Sequence, residues 1–150
     1  KVSAGFGGRY GLSYERRMSD FFAIETGVES GENFLDLRLS KLTYIGTFIA
    51  SNFYFMEIEN VHQFYVSPRF DISFGRTSIR EDKDWRQSRV ISLGSSVFAA
   101  YRYRLPFNAT LEAGLGIDAV SLLLPLEKGQ AVGLYSLAIP KIQLGFGYAF

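Results

Sequence analysis

The hydrophobic pattern of this chain has a period of two over most of its length. In FYVSPRFDISFG (64–75), every second residue from Phe64 to Phe74 is apolar, and those between them are Tyr65, Ser67, Arg69, Asp71 and Ser73. Successive side chains of a β-strand point to opposite sides, so this alternation predicts a strand with one apolar and one polar face. The same period predicts seven strands, over residues 2–15, 21–30, 35–56, 63–75, 89–104, 109–124 and 131–150. The register of 35–56 is the least regular, and a β-bulge near Lys41 would explain it.

The composition excludes several classes of function. The chain has the length of one domain (1–150), and its formal charge of +1 offers no electrostatic basis for binding nucleic acid. It has no cysteine, which excludes disulfides and thiolate chemistry, and a single histidine, His62, which excludes a multi-histidine metal site within one chain. We expect no catalytic residue, no metal ion and no cofactor. The sequence has no stretch of about 18 apolar residues, so only strands could cross a bilayer.

The two faces of the predicted strands distinguish a membrane barrel from a soluble sheet protein. Strands of about 9 to 11 residues, apolar on one side and polar on the other, are typical of transmembrane β-barrels. The alternatives are a soluble β-sandwich and a lipocalin-like barrel, in which the apolar face points inward. The polar face here is rich in glycine and opposed charges, which suits a narrow lumen, and the apolar face lacks lysine. We therefore predict an all-β, antiparallel up-and-down transmembrane β-barrel of about eight strands.

The connections between the predicted strands alternate in character. RRMSD (16–20), EIENVH (57–62) and RLPFN (104–108) are short turns at one rim, whereas SGEN (30–33), GRTSIREDKDWRQS (75–88) and PLEKGQ (125–130) lie at the other. Because outer-membrane barrels have short periplasmic turns and longer outer loops, we expect the short-turn rim to be periplasmic. Aromatic residues near these turns predict a girdle at this rim: Tyr14, Phe21, Phe22, Phe53, Tyr54, Phe55, Phe64, Tyr65, Tyr101, Tyr103, Phe107, Phe146, Tyr148 and Phe150.

Seven strands are an odd number, whereas bacterial single-chain barrels have an even number. This orientation also places Lys1 on the extracellular side. Two explanations are open: a strand upstream of Lys1 completes the barrel, or the last segment bends at IPK (139–141) and supplies two short strands. The second explanation would invert the assignment of the two rims.

The last eight residues, QLGFGYAF, resemble the C-terminal β-signal of bacterial outer-membrane proteins, with Gln143, Gly145, Tyr148 and Phe150 at the matching positions. In that family the barrel-assembly machinery reads this segment, which closes the barrel against the first strand. The whole chain resembles, in pattern only, the small eight-stranded barrels of the OmpA-transmembrane, OmpX and OmpW-like porin-fold group; YGLSYERRMSDFFAIETGVE is similar to their strand–turn–strand units. The resemblance implies a location in the bacterial outer membrane.

Charged residues on the polar face nearly balance. The cations are Arg9, Arg38, Arg69, Arg102, Arg104 and Lys141, and the anions are Glu15, Glu25, Glu29, Asp36, Asp71, Glu112 and Asp118. A buried charge is costly unless it is paired, and an eight-stranded barrel has room only for side chains or one small ligand. We therefore predict an ion-pair network that fills the lumen. A selective pore and a carboxylate pair for acid–base catalysis are the alternatives.

Two further features bear on function. Lipid A-modifying barrels with a histidine-dependent mechanism need that residue near the outer rim, whereas His62 lies in a predicted periplasmic turn, where we expect it to be solvated. The predicted outer loop, 76–89, carries basic residues beside a tryptophan: Arg80, Lys83, Trp85, Arg86 and Arg89, preceded by Arg76. It is a lipopolysaccharide-binding site, a partner-binding surface or simply a solvated loop.

The sequence thus predicts a non-enzymatic outer-membrane barrel with a charge-plugged lumen, which is a structural protein or a subunit of a larger outer-membrane complex. Its expected partners are outer-membrane lipids, lipopolysaccharide and the barrel-assembly machinery. A small pore or a binding barrel for a small amphiphile is the main alternative, and a lipid A-modifying enzyme is a third hypothesis.

Overall fold

Nine β-strands account for most of the computed structural model, which describes residues 2–5, 9–34, 41–81, 84–126, 133–135 and 140–148. In chain order they are β1 (Val2–Gly5), β2 (Arg9–Ser19), β3 (Phe22–Phe34), β4 (Lys41–Ile58), β5 (His62–Glu81), β6 (Asp84–Arg104), β7 (Ala109–Pro125), β8 (Gly133–Tyr135) and β9 (Pro140–Tyr148). A single 3₁₀ turn, Pro106–Asn108, lies between β6 and β7. No helix within these described residues has the length and apolar character needed to cross a membrane.

The strands pair around a closed circuit. Each strand from β1 to β7 pairs antiparallel with the next, and β9 pairs with both β7 and β1. The short strand β8 pairs with residues 121–123 of β7, beyond the stretch 109–117 that β9 occupies. Because β8 and β9 lie along the same edge of β7, they share one position in the wall. The circuit therefore has eight strand positions, as in an up-and-down barrel.

The eighth strand position comes from the start of the chain. The single strand predicted over 2–15 is wrong, because β1 and β2 are antiparallel and the chain reverses between Gly5 and Arg9. Strands β1 to β7 and β9 already close the circuit, so no further strand is needed to explain the odd count. The last predicted segment, 131–150, does contain two short strands, β8 and β9, but they share one position in the wall. Because of this reversal, β1 runs away from the short-turn rim. The strand predicted over 2–15 ran toward that rim, which is why the prediction placed Lys1 on the extracellular side.

The turns at the short-turn rim lie where the sequence predicts them but are shorter than predicted. Two residues separate β2 from β3, and three separate β4 from β5. In the second turn, Val61 N donates to Ile58 O at 3.0 Å, and Glu59 and Asn60 have φ of 53° and 57°. Positive φ at both central residues defines a type I′ turn, whose twist matches that of the adjoining strands.

At the opposite rim the strands are longer than predicted. The segment 75–88 was expected to be a loop, but its residues pair in register across β5 and β6 as far as Glu81 and Asp84. The segment SGEN (30–33) likewise lies within β3 rather than in a turn. The bulge expected near Lys41 is also misplaced, because Lys41 pairs regularly and the register of β4 shifts between Tyr54 and Met56.

The wall is apolar outside and polar inside, as the alternation predicts. Large exposed hydrophobic residues lie on the outward face of nearly every strand, among them Leu12, Val28, Ile49, Phe70, Ile72, Phe74, Val97, Leu115 and Leu144. Buried polar residues fill the inward face, among them Ser13, Glu25, Glu29, Asn52, Gln63, Arg69, Ser96, Arg102 and Glu112. A soluble protein has the opposite distribution.

The lumen as candidate functional site

Arg102 on β6 is the centre of a hydrogen-bonded network across the lumen. Its Nη1 and Nη2 donate to the two carboxylate oxygens of Glu15 at 2.7 and 2.6 Å, the bidentate geometry of a strong arginine–carboxylate pair. Its Nε and Nη2 also donate to Oε2 of Glu112 at 3.1 and 3.0 Å. Glu112 lies on β7, next to β6, and Glu15 lies on β2, three strand positions beyond β7. Arg102 therefore connects these two strands across the lumen.

A second group of contacts extends the network toward β3 and β4. The hydroxyl of Tyr54 donates to Glu15 Oε1 at 2.8 Å, and the fully buried Asn52 donates through Nδ2 to Glu15 at 2.7 Å and to Glu25 at 3.1 Å. Ser13 Oγ donates to the other oxygen of Glu25 at 2.6 Å. The glutamates therefore share donors, which compensates part of the cost of burying their charge.

A separate pair lies nearer the outer rim. Arg69 on β5 forms an ion pair with Glu29 on β3, and both side chains are buried. The guanidinium carbon of Arg69 is 3.5 Å from the ring centroid of Phe48, so the cation also stacks on an aromatic face. Phe48 thus separates the two polar clusters while contacting one of them.

Large side chains narrow the space between the two clusters. A cavity of about 10 Å³ remains there, lined by Phe48, Tyr65, Arg69, Phe98 and Glu112 among others. Roughly one water molecule fits in such a volume. At the short-turn rim the lumen widens to a vestibule of about 380 Å³, whose lining includes Glu15, Arg17, Arg102, Arg104 and Thr110.

Two glycines allow bulky groups to fit inside the wall. A Cβ added at Gly116 would lie 2.5 Å from Cδ1 of Phe98, and one added at Gly94 would lie 2.6 Å from Oδ2 of Asp71. Both distances are far below van der Waals contact. The absence of a side chain at these two positions therefore makes room for Phe98 and Asp71 in the lumen.

The structure brings most of the predicted lumen charges together. Glu25, Arg69, Arg102 and Glu112 are buried, and Asp71 and Arg104 are partly buried on the same inward face. Of the other predicted members, Asp36 and Arg38 lie outside the described residues, and only the backbone is described for Arg9, Asp118 and Lys141.

The sequence pattern placed Asn52 on the polar face without giving it a role. A neutral amide carries no charge signal, and its contacts depend on the facing strands. Tyr54 and Tyr65 were assigned to the aromatic girdle, which is wrong. Both are buried in the lumen, where their ring centroids are 5.0 Å apart. Both tyrosines occupy polar-face positions in the alternation, and this could have predicted that they point into the lumen.

His62 was expected in a turn but lies in a strand, and its side chain is half-buried. It is the first residue of β5, and its Nδ1 lies 2.8 Å from the hydroxyl of Tyr101. Its ring packs against Tyr101 and Tyr103, with centroid distances of 6.0 and 5.2 Å. The turn before it belongs to the short-turn rim, the side to which the sequence assigned it.

Gln143, Gly145 and Tyr148 of the predicted C-terminal signal lie on β9, where Gly145 pairs with both Ser3 of β1 and Glu112 of β7. Gln143 Nε2 is 3.5 Å from Glu112 Oε1, and Tyr148 is exposed at the end of the strand. Phe150 lies outside the described residues. The segment thus joins the first and last parts of the wall.

Within the part of the chain that the structure describes, no group of three or more histidine, cysteine, aspartate or glutamate residues has a geometry that could hold a metal ion. The polar groups that contact one another in the lumen are arginine, glutamate, tyrosine, serine and amide side chains. Their mutual hydrogen bonds leave the network tightly connected.

The fold and its side chains define the class: a closed antiparallel barrel of eight strand positions, with an apolar outer face and a polar lumen. Among solved structures, the chain is similar to the N-terminal β-barrel domain of Pseudomonas aeruginosa OprF, with a TM-score of 0.56 and 19% sequence identity. The match covers 97% of this chain and 90% of that one. This likeness confirms the predicted eight-stranded barrel fold. No protein-family model and no curated protein matches the sequence.

Proposed function

We propose that this protein is an outer-membrane β-barrel with a plugged lumen and a structural role. The observation that carries the proposal is the reversal of polarity across the wall: the large hydrophobic residues face outward and the charged residues face inward. Exposing such a continuous apolar surface to water would cause association, whereas a bilayer solvates it. The circuit of strand pairs supports the same conclusion, because each of β1 to β7 and β9 pairs with a neighbouring strand on both sides, and a bilayer does not tolerate an open sheet.

The dimensions of the apolar face support a membrane location. On β5 this face runs from Phe64 to Phe74, which is about 33 Å along a strand at ~3.3 Å per residue. Strands in such barrels tilt by about 35–45°, which reduces this length to roughly 25 Å along the membrane normal. That is the height of the apolar band of outer-membrane barrels. The polar residue Arg76 follows Phe74 on the same face.

Turn length and aromatic residues support an orientation with the short-turn rim in the periplasm. Exposed rings near this rim include Tyr14, Phe21, Phe53, Phe55, Phe107 and Tyr148, as expected for an interfacial girdle without Tyr54 and Tyr65. In this orientation β9 ends at the periplasmic side, which suits recognition of its C-terminal segment by the barrel-assembly machinery.

The plug is supported by the two ion-pair clusters and the cavity of about 10 Å³ between them. An open pore needs a continuous water path, whereas this section holds about one water molecule. A barrel of this kind would act by stabilising the membrane or by packing against a larger outer-membrane complex. The vestibule of about 380 Å³ is the observation that favours the alternative, a barrel that binds a small amphiphile.

Conductance across a planar lipid bilayer tests the plug. The protein is first inserted into vesicles, where protease protection reports insertion, and these are fused with the bilayer. We expect no stable current steps from the wild type. Replacing two lumen rings together, Phe48→Ala with Phe98→Ala, should produce steps, whereas the matched loss of two outward rings, Phe70→Ala with Phe74→Ala, should not. Stable, ion-selective steps from the wild type would refute the plug and favour the pore.

A further inference from the structure

Two arginines face each other on the outer surface of the wall. Arg76 on β5 and Arg89 on β6 are direct partners in the strand register, and both side chains are exposed. The next pair along the same face toward the membrane centre is Phe74 with Ile91. Leu126 N donates to Arg89 O at 2.9 Å, so the backbone of Arg89 is held on its other side as well. Strand pairing therefore fixes the backbone of both arginines next to each other at the edge of the apolar face.

This arrangement is unfavourable without an anion. Like charges directly opposite on neighbouring strands destabilise a sheet. Elsewhere in the barrel Arg17, Arg69 and Arg102 each form an ion pair with a glutamate, but among the described residues no such partner contacts Arg76 or Arg89.

The same outward row continues from Arg76 to Thr43 on β4 and then to Glu32 on β3. Thr43 therefore stands between Arg76 and this carboxylate, at a separation of two strand spacings, or about 10 Å. The nearest position in the row is occupied by a neutral hydroxyl. A negative group supplied from outside the protein could contact both guanidinium groups at once.

We propose that Arg76 and Arg89 together bind a phosphate group of lipopolysaccharide. The inference rests on the proposed function, which places this rim at the outer leaflet. A guanidinium presents a planar pair of donors that matches the oxygens of a phosphate. Because the two arginines are direct neighbours, one phosphate can accept hydrogen bonds from both. The position just above the apolar face is the depth of a lipid headgroup.

Binding of purified diphosphoryl lipid A tests the assignment, with the protein inserted in neutral phosphatidylcholine nanodiscs. The variants are Arg76→Gln with Arg89→Gln, and as a matched control Arg16→Gln, which removes an exposed arginine from the opposite end of the wall. We expect the double variant to bind about tenfold more weakly or worse, and the control to bind as the wild type does. Inorganic phosphate at millimolar concentration should not compete.

Unfolding measurements on the same proteins give a second readout, because the effect of the arginines on stability should differ without and with lipid A. Without lipid A, the double variant should be as stable as the wild type or more stable, because the repulsion between the two facing charges is gone; with lipid A, the wild type should gain stability and the double variant should not. Equal lipid A binding by the double variant would overturn the inference, and competition by inorganic phosphate would assign the pair to a free anion instead. Failure of the wild type to insert into the nanodisc would contradict the proposed function itself, whereas insertion without lipid A binding contradicts only this inference.

Discussion

Replacing Arg102 with methionine removes the central cation of the lumen and keeps a side chain of similar length. The guanidinium donates two hydrogen bonds to Glu15 and two to Glu112, whose side chains are 16% and 3% exposed. The substitution leaves two carboxylates in the lumen without this cation. Removing one partner of a buried ion pair typically costs about 3–5 kcal/mol. We expect Arg102→Met to lower the free energy of unfolding by that amount.

The assay is reversible urea unfolding of the barrel in lipid vesicles, followed by the circular dichroism of the β-sheet. Arg16→Met is the matched control, because Arg16 is exposed, and it should change stability by less than about 1 kcal/mol. Combining Arg102→Met with Glu15→Gln and Glu112→Gln should recover much of the loss, since the uncompensated charges are gone. A loss below about 1 kcal/mol for Arg102→Met alone would refute the view that this network stabilises the barrel.

Two further variants test the packing and the rim. Gly116→Ala should destabilise the barrel by about 1–3 kcal/mol, because its Cβ would lie 2.5 Å from Phe98; Gly114→Ala, where the closest atom is at 3.3 Å, should cost clearly less, and equal costs would contradict the packing argument. Arg17→Gln breaks the partly exposed pair with Glu57, whose atoms are 2.8 Å apart, and should cost under about 1 kcal/mol in the same urea assay; a loss like that of Arg102→Met would be inconsistent with solvent screening.

Much of the wall could be predicted from the sequence because the period of two directly reports the two faces of a strand. In β5, the apolar series from Phe64 to Phe74 faces outward and the series from Tyr65 to Ser73 faces inward, as predicted. This information is local and needs no knowledge of neighbouring strands. It also predicted the short-turn rim, where the alternation stops at turn residues.

The strand predictions failed in two places: where the hydrophobic alternation continues although the chain reverses its direction, and where a strand continues although its residues become polar. The alternation runs unbroken from Val2 to Glu15, so it conceals the reversal between Gly5 and Arg9; the Gly7–Gly8 pair between them is a hairpin signal that would have revealed it. The charged segment 75–88 resembled a loop because its residues are polar. Strand pairing continues there because a sheet in water needs backbone hydrogen bonds and no apolar face.

The sequence predicted which charged residues belong to the candidate site better than it predicted which residues they contact. Charge on the inward face identified Arg69, Arg102 and Glu112, but their partners depend on strands that are distant in sequence. Arg102 and Glu15 are 87 residues apart, and only closure of the barrel brings them together. The inward aromatic residues were misassigned because ring chemistry suits both a bilayer interface and a packed lumen.

The most direct test of the membrane barrel is to measure which solvent each face of the wall contacts. The chain has no cysteine, so single spin labels can be attached at Phe70→Cys, on the outward face, and at Thr110→Cys, in the vestibule. Power-saturation electron paramagnetic resonance in vesicles then compares access of oxygen, which partitions into lipid, with access of a water-soluble nickel complex. We expect high oxygen and low nickel access at position 70 and the reverse at position 110. Nickel access at position 70 equal to or above that of oxygen would contradict the membrane barrel.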